Sequence, residues 1–196
     1  MGPWSAAVLA GGRGRRLDGR IKPLVDLHGQ TFLARQAAAL AALGQVPRLI
    51  APDAAPYTGL PYEVVPDLLA AGALGALYTA VATSTTPYVL VIAGDLPFLT
   101  ADFLGALVAR RAEADAIVPR PGGRWQPLCA VYHRDVAARL RVRIDRGDWR
   151  VTDALEDLVV GAMSDADLSP FDPDGRLLLN VNTPDDLRLA TGHATL

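Results

Sequence analysis

Cysteine occurs once in these 196 residues, at Cys129, so neither an internal disulfide framework nor a multi-cysteine zinc site can be built. Histidine is almost as scarce. His28, His133 and His193 stand in unrelated contexts and offer no catalytic triad. Cys129 falls inside an apolar run, where a free thiol is expected to be a buried core group rather than a nucleophile. Aromatic residues make up 6%, and Trp4, Trp125 and Trp149 are too widely spaced to suggest a base-stacking platform. Neither sign of charge dominates, and a net charge of −2 argues against a nucleic-acid partner. No apolar run approaches the length needed to cross a bilayer, and the N-terminus lacks the pattern of a secretory signal. The expectation is a cytoplasmic protein in a reducing compartment, without a membrane partner. Lysine is the last scarcity: among 19 basic Lys and Arg side chains only Lys22 is a lysine.

With 51% hydrophobic residues the chain can bury one sizeable core, which predicts a single domain over residues 1–196. Strands are expected at 5–10, 48–51, 62–65, 88–93, 116–118 and 126–132, with a late one at 177–181. Helices are expected at 31–43, 74–83, 101–114, 136–144 and 152–159, and Pro184 should open a last one. The Asp- and Pro-rich stretch 164–175 is expected to be a surface loop. This alternation predicts a three-layer α/β/α fold with a mainly parallel, Rossmann-like sheet. Ligands then bind beyond the carboxyl ends of the strands.

Two segments carry chemistry. The first is LAGGRGRRLDGRIKPL, from Leu9 to Leu24, at the exit of the first strand. Gly11, Gly12 and Gly14 let backbone N–H groups approach phosphate oxygens, and Arg15, Arg16 and Lys22 supply charge against a triphosphate; Arg13 and Arg20 are equally suited to solvent. The dinucleotide fingerprint fails at Leu17, and a P-loop fails because Lys22 follows Ile21 and precedes Pro23. A lone lysine here acts as a compact point charge, where arginine would present a planar fork. The second segment is Gly94-Asp95-Leu96-Pro97, immediately after the apolar run YVLVIA. An aspartate at that strand end either holds magnesium or caps the following turn. Asp67, after Val64-Val65-Pro66, is a further acid beyond a strand.

Together these segments resemble the molybdenum cofactor guanylyltransferase family, within the nucleotidyltransferases of nucleoside-diphospho-sugar-transferase fold. The resemblance extends over VVPDLLAAGALGAL around Asp67, IAGDLPFL around Asp95, QPLCAVYHRD from Gln126 and NVNTPDDL from Asn180. It implies transfer of GMP from GTP to the terminal phosphate of molybdenum-molybdopterin, with release of pyrophosphate and with Mg2+ as cofactor. Leu9, Ala10, Gly11, Gly12, Lys22, Asp67 and Asp95 would then bind the nucleotide. Lys22, Arg15 and Asp95 would be catalytic, and Asp95 would hold the metal. Gln126, Asn180 and Asn182 would shape the acceptor side. The nucleotide-binding half would be about 1–100 and the acceptor-binding half about 101–196, and transient contact with cofactor-donor and recipient molybdoenzymes is implied. The chain departs from the family pattern at Leu17-Asp18, at Ile21 before the lysine, and at Ala51, where an asparagine is usual. The alternatives are a cytidylyltransferase on molybdopterin, a sugar-1-phosphate nucleotidyltransferase and a non-catalytic molybdopterin carrier.

Overall fold

The computed structural model describes residues 2–11 and 21–192. Its strands are β1 (Trp4–Leu9), β2 (Asp26–Leu27), β3 (Gln30–Thr31), β4 (Arg48–Ala51), β5 (Val64–Pro66), β6 (Tyr88–Ala93), β7 (Ala116–Pro119), β8 (Cys129–His133) and β9 (Val160–Met163). The helices are α1 (Phe32–Ala41), α2 (Gly72–Ala82), α3 (Ala101–Ala109), α4 (Ala137–Asp145), α5 (Val151–Ala154), α6 (Asp165–Leu168) and α7 (Pro184–Gly192). Threonine hydroxyls open two of them: Thr31 accepts the Ala34 N–H at the start of α1, and Thr100 that of Phe103 at the start of α3.

Seven strands form one sheet in the order β5-β4-β1-β6-β8-β7-β9. The pairs β5/β4, β4/β1, β1/β6 and β7/β9 are parallel, and β8 runs antiparallel to both neighbours. Side-chain alternation along the central strands separates two cores. Ala6 and Val8 of β1 and Leu90 and Ile92 of β6 pack on one face, with Leu33 and Leu40 of α1 and Phe103 and Leu107 of α3. Ala7, Leu9, Val89 and Val91 pack on the other, with Leu74 and Leu77 of α2 and Leu140 of α4. Continuous apolar strands are the consequence of covering both faces. The expected three-layer architecture is therefore the observed one, and no helix among the described residues is long and apolar enough to cross a membrane.

Several local expectations need correction. Residues 177–181 are not a strand. Leu177, Leu178 and Val181 are buried as irregular chain, and the Val181 N–H reaches the Asp95 carbonyl at 2.9 Å. A short buried apolar run has no periodicity that separates it from a strand. The unexpected strand β9 carries Gly161 and Ala162, residues with little strand preference, and pairs with β7. The stretch expected as a loop contains α6, whose Ser164 and Asp167 make a reciprocal capping box. The expected strand 126–132 starts only at Cys129, because the chain first closes a turn in which Cys129 N–H meets the Gln126 carbonyl at 3.0 Å. His28 sits in the β2/β3 hairpin turn with φ 56°, and the His133 side chain accepts the Asp135 N–H, so both have structural duties. Burial pushes the Cys129 thiol up to about 12, which removes it as a nucleophile.

One ion pair fastens the β8/β7/β9 side. Arg139 of α4 donates to Asp115 Oδ2 at 2.7 Å and Oδ1 at 3.1 Å, and the Val159 N–H adds a third bond at 2.9 Å. These donors, the guanidinium foremost, hold the Asp115 carboxyl below the usual carboxylate range. A depressed folded pKa gives stability that is present above the unfolded value and is lost as pH falls through the folded one. Asp115→Asn is therefore expected to cost about 1 kcal/mol at pH 7, given a partly exposed partner. In urea unfolding the gap between wild type and variant should close under acid conditions, and a gap independent of pH would contradict the ionic origin.

Candidate active site

Because β5, β4, β1 and β6 are mutually parallel, their carboxyl ends lie along one edge of the sheet. A cavity of about 410 Å³ opens there. Strand ends supply Leu9, Gly11, Asp67 and Asp95; the first turns of α2 supply Gly72, Ala73 and Ala76; Lys22 and Leu128 complete the wall. The N-terminal end of an 11-residue helix thus faces the same space as two carboxylates and an ammonium.

Lys22 stands at its centre. Its Nζ donates to Asp95 Oδ2 at 3.2 Å and to Asn182 Oδ1, joining the basic loop to the strand end and to the C-terminal segment. The side chains of Lys22 and Asp95 keep 23% and 16% of their exposure, so a ligand entering the cavity can reach both. Asp95 Oδ1 and Asp67 Oδ1 are buried and, among the described residues, have no hydrogen-bond partner. Native proteins rarely leave such acceptors unsatisfied unless a ligand, ion or water completes them. Burial alone pushes the Asp67 carboxyl above its usual range.

The backbone beneath these side chains is closely fixed. A Cβ at Gly94 would lie 2.6 Å from Pro23 Cγ and 3.0 Å from the Leu9 carbonyl, so only glycine lets β1, β6 and the Lys22 segment meet. At Gly75 a Cβ would collide with the Leu69 carbonyl, which lets the Asp67 loop lie against α2. Buried Thr79 accepts the Leu68 N–H at 3.0 Å and ties that loop down. Ala10 faces inward: its N–H donates to the Ile50 carbonyl at 2.8 Å, and its own carbonyl accepts the Tyr57 hydroxyl at 2.6 Å. Its backbone is committed to the fold, whereas Gly11 lines the cavity.

Of the residues singled out from sequence, Leu9, Gly11, Lys22, Asp67 and Asp95 come together at the cavity, and Asn182 joins them through Lys22. Gly12 and Arg15 lie outside the described residues. Gln126 and Asn180 are half-buried and do not line the cavity. Gln126 precedes β8, where its N–H meets the Pro119 carbonyl at 2.9 Å. Asn182 is held by its own backbone: Asp186 Oδ2 accepts the N–H groups of Asn182 and Thr183, each at 2.9 Å. Those bonds, the Asn182 N–H first, lower the Asp186 pKa, and the Lys22 charge contributes. Sequence reading missed Gln36, which is 1% exposed and donates to the carbonyls of Ala93 at 2.8 Å and Leu96 at 3.0 Å. A glutamine inside an otherwise apolar helix face was the available signal.

Among the described residues no group of three or more His, Cys, Asp and Glu side chains gathers as a metal cluster. The donor set is instead one or two hard carboxylates facing an open cavity. That suits a divalent cation taking its remaining oxygens from substrate phosphates and water. The unpartnered Oδ1 of Asp95 fits such a role.

Residues 6–158 match the MobA-like NTP transferase domain family. A probable molybdenum cofactor guanylyltransferase of Chloroflexus aggregans is 34% identical, covering 96% of this chain and 94% of the relative. The crystal structure of molybdopterin-guanine dinucleotide biosynthesis protein A from Archaeoglobus fulgidus is similar with a TM-score of 0.82 and 27% identity, covering 97% of this chain and 98% of that one. The 2-C-methyl-D-erythritol 4-phosphate cytidylyltransferase of Thermus thermophilus, at 18% identity, TM-score 0.68 and 98% coverage of both chains, shares the fold. With its glycine-bearing strand exit, lone lysine and two strand-end aspartates converging on one cavity, the chain belongs to the MobA-like NTP transferase family.

Proposed function

We propose that this chain transfers GMP from GTP to the terminal phosphate of molybdenum-bound molybdopterin, releasing pyrophosphate and forming the guanine dinucleotide cofactor. The observation that carries the reading is the Lys22–Asp95 pair beside two buried carboxylate oxygens that have no partner among the described residues, in a cavity at the strand ends. An ionised oxygen of the acceptor phosphate attacks the α-phosphorus. The bond from that phosphorus to the oxygen bridging toward the β-phosphate breaks, and pyrophosphate departs with the electron pair. Such a nucleophile needs neither a strong general base nor a covalent intermediate. Catalysis consists of aligning two anions and stabilising the charge that develops.

Lys22, with Arg15, supplies positive charge to the triphosphate. Gly11, Gly12 and the strand exit at Leu9 let the nucleotide approach the backbone closely, and Asp67 accepts hydrogen bonds from it. Asp95 would hold the divalent cation, for which Mg2+ is the proposed identity; when bound it screens the phosphates and fixes their geometry. Residues up to about 100 would serve the nucleotide, and the later half, with Gln126, Asn180 and Asn182, the acceptor. A cofactor product must be handed on, which supports transient contact with donor and recipient molybdoenzymes.

The choice of base has a specific rival, because Ala51, at the end of β4 and 1% exposed, offers no side-chain amide to a guanine. The deciding experiment measures pyrophosphate release with Mg2+, molybdenum-molybdopterin and, in parallel, GTP, CTP and ATP. Release with GTP is the expected result. Release only with CTP moves the assignment to cytidylyl transfer. Binding without release supports a carrier, and if a second arm with a sugar 1-phosphate as acceptor gives release where molybdopterin does not, the acceptor is overturned.

A further inference from the structure

We infer that Gln36 is a positioning residue for Asp95: its buried carboxamide clamps the carbonyls on either side of Gly94-Asp95 and thereby sets how the carboxylate meets a divalent cation. The inference rests on the metal role proposed above for Asp95.

Gln36 lies on the inward face of α1 between Leu33 and Leu40, which are 1% and 0% exposed. A carboxamide there carries a desolvation cost that leucine would not. Both protons of its Nε2 are used, one on Ala93 at 2.8 Å and one on Leu96 at 3.0 Å, whereas its Oε1 has no partner among the described residues. The group is present for its two donors. They are needed because β6 ends at Ala93 and the chain turns inside the protein, taking these carbonyls out of the sheet ladder.

Two further bonds complete the clamp. The Gly94 N–H donates to the Leu9 carbonyl at 3.1 Å, and the Asp95 carbonyl accepts the Val181 N–H at 2.9 Å. The turn is thus held from β1, from α1 and from the segment before α7. With its backbone fixed, the Asp95 side chain meets Lys22 through Oδ2 and leaves Oδ1 without a partner among the described residues. Ligating carboxylates depend on such outer contacts for orientation. Removing the donors from Gln36 frees the turn to shift without altering any residue that lines the cavity.

The test uses the full chain and Mn2+ as the probe, with free metal read by electron paramagnetic resonance in the presence of GTP. Gln36→Met has nearly the same shape and no donors. Its Mn2+ dissociation constant is expected to rise about tenfold, the scale at which outer contacts act on metal sites. GTP affinity measured in EDTA should stay at the wild-type value. A merely structural role would lower thermal stability and leave the Mn2+ constant unmoved, and that result would overturn the inference. If Gln36→Met does not fold, Gln36→Glu, with at most one donor in the same shape, is read in the same way: weakened Mn2+ binding supports the clamp and wild-type binding refutes it. Asp95→Asn is titrated alongside. Mn2+ affinity lost in Asp95→Asn but kept in the Gln36 variants sinks the positioning role alone, whereas wild-type affinity in Asp95→Asn sinks the metal reading on which it rests.

Discussion

Lys22→Ala is expected to turn over at least about tenfold more slowly than wild type, a loss of roughly 1.4 kcal/mol or more in transition-state stabilisation. The expectation follows from position as well as charge. Lys22 is the one ammonium side chain of the chain, and its Nζ joins the strand-end carboxylate to the C-terminal asparagine in the wall of the cavity. A triphosphate entering there meets a cation already oriented by Asp95 and Asn182, so little reorganisation accompanies the reaction. Steady-state kinetics with GTP should show the loss mainly in kcat if the ammonium acts on the departing pyrophosphate, and mainly in KM if it only binds ground-state nucleotide. Lys22→Arg keeps the charge but replaces a point donor with a planar fork, and is expected to recover only part of the rate. Wild-type turnover in Lys22→Ala would remove the residue from the mechanism.

The second large effect is expected at Asp95. Asp95→Asn keeps the shape of the side chain and the backbone bonds at Gly94 and Asp95, but removes the charge that a hard cation requires. Half-maximal activity should need at least about tenfold more Mg2+, the scale at which even outer-shell contacts act, and turnover at saturating metal should remain below wild type. An unchanged metal titration would reduce the aspartate to a capping group. The hydrogen bonds already weigh against a cap: among the described residues, Oδ2 meets Lys22 and Oδ1 meets nothing. Measured together, the two variants separate roles. Lys22→Ala should leave the metal titration nearer to wild type than Asp95→Asn does.

Much of the fold was legible because burial on both faces writes itself into composition. The runs RLIA and YVLVIA became β4 and β6 with the expected bounds, and Pro184 does open α7. Legibility failed where local composition and tertiary role diverge. VGAM pairs at the sheet edge because β7 offers it a partner, and LLLNV remains irregular because the strand end at Asp95 offers it one bond rather than a ladder. The antiparallel direction of β8 was equally hidden, since strand direction has no signature within the strand itself.

The site divides along the same line. Glycines, a lysine and aspartates just beyond apolar strands announce themselves locally, since strand exit and backbone access are properties of neighbouring residues. By itself the sequence therefore determined the α/β class and the candidacy of the first loop, Lys22, Asp67 and Asp95 for a nucleotide site. Only the tertiary structure joined Lys22 to Asn182 across 160 positions, brought Gln36 to carbonyls 57 and 60 positions away, and turned the Ala10 backbone inward. Hydrogen bonds at such separations depend on how parallel strands bring their ends together and on which buried carbonyls the sheet leaves unpaired. No local pattern of residues encodes either.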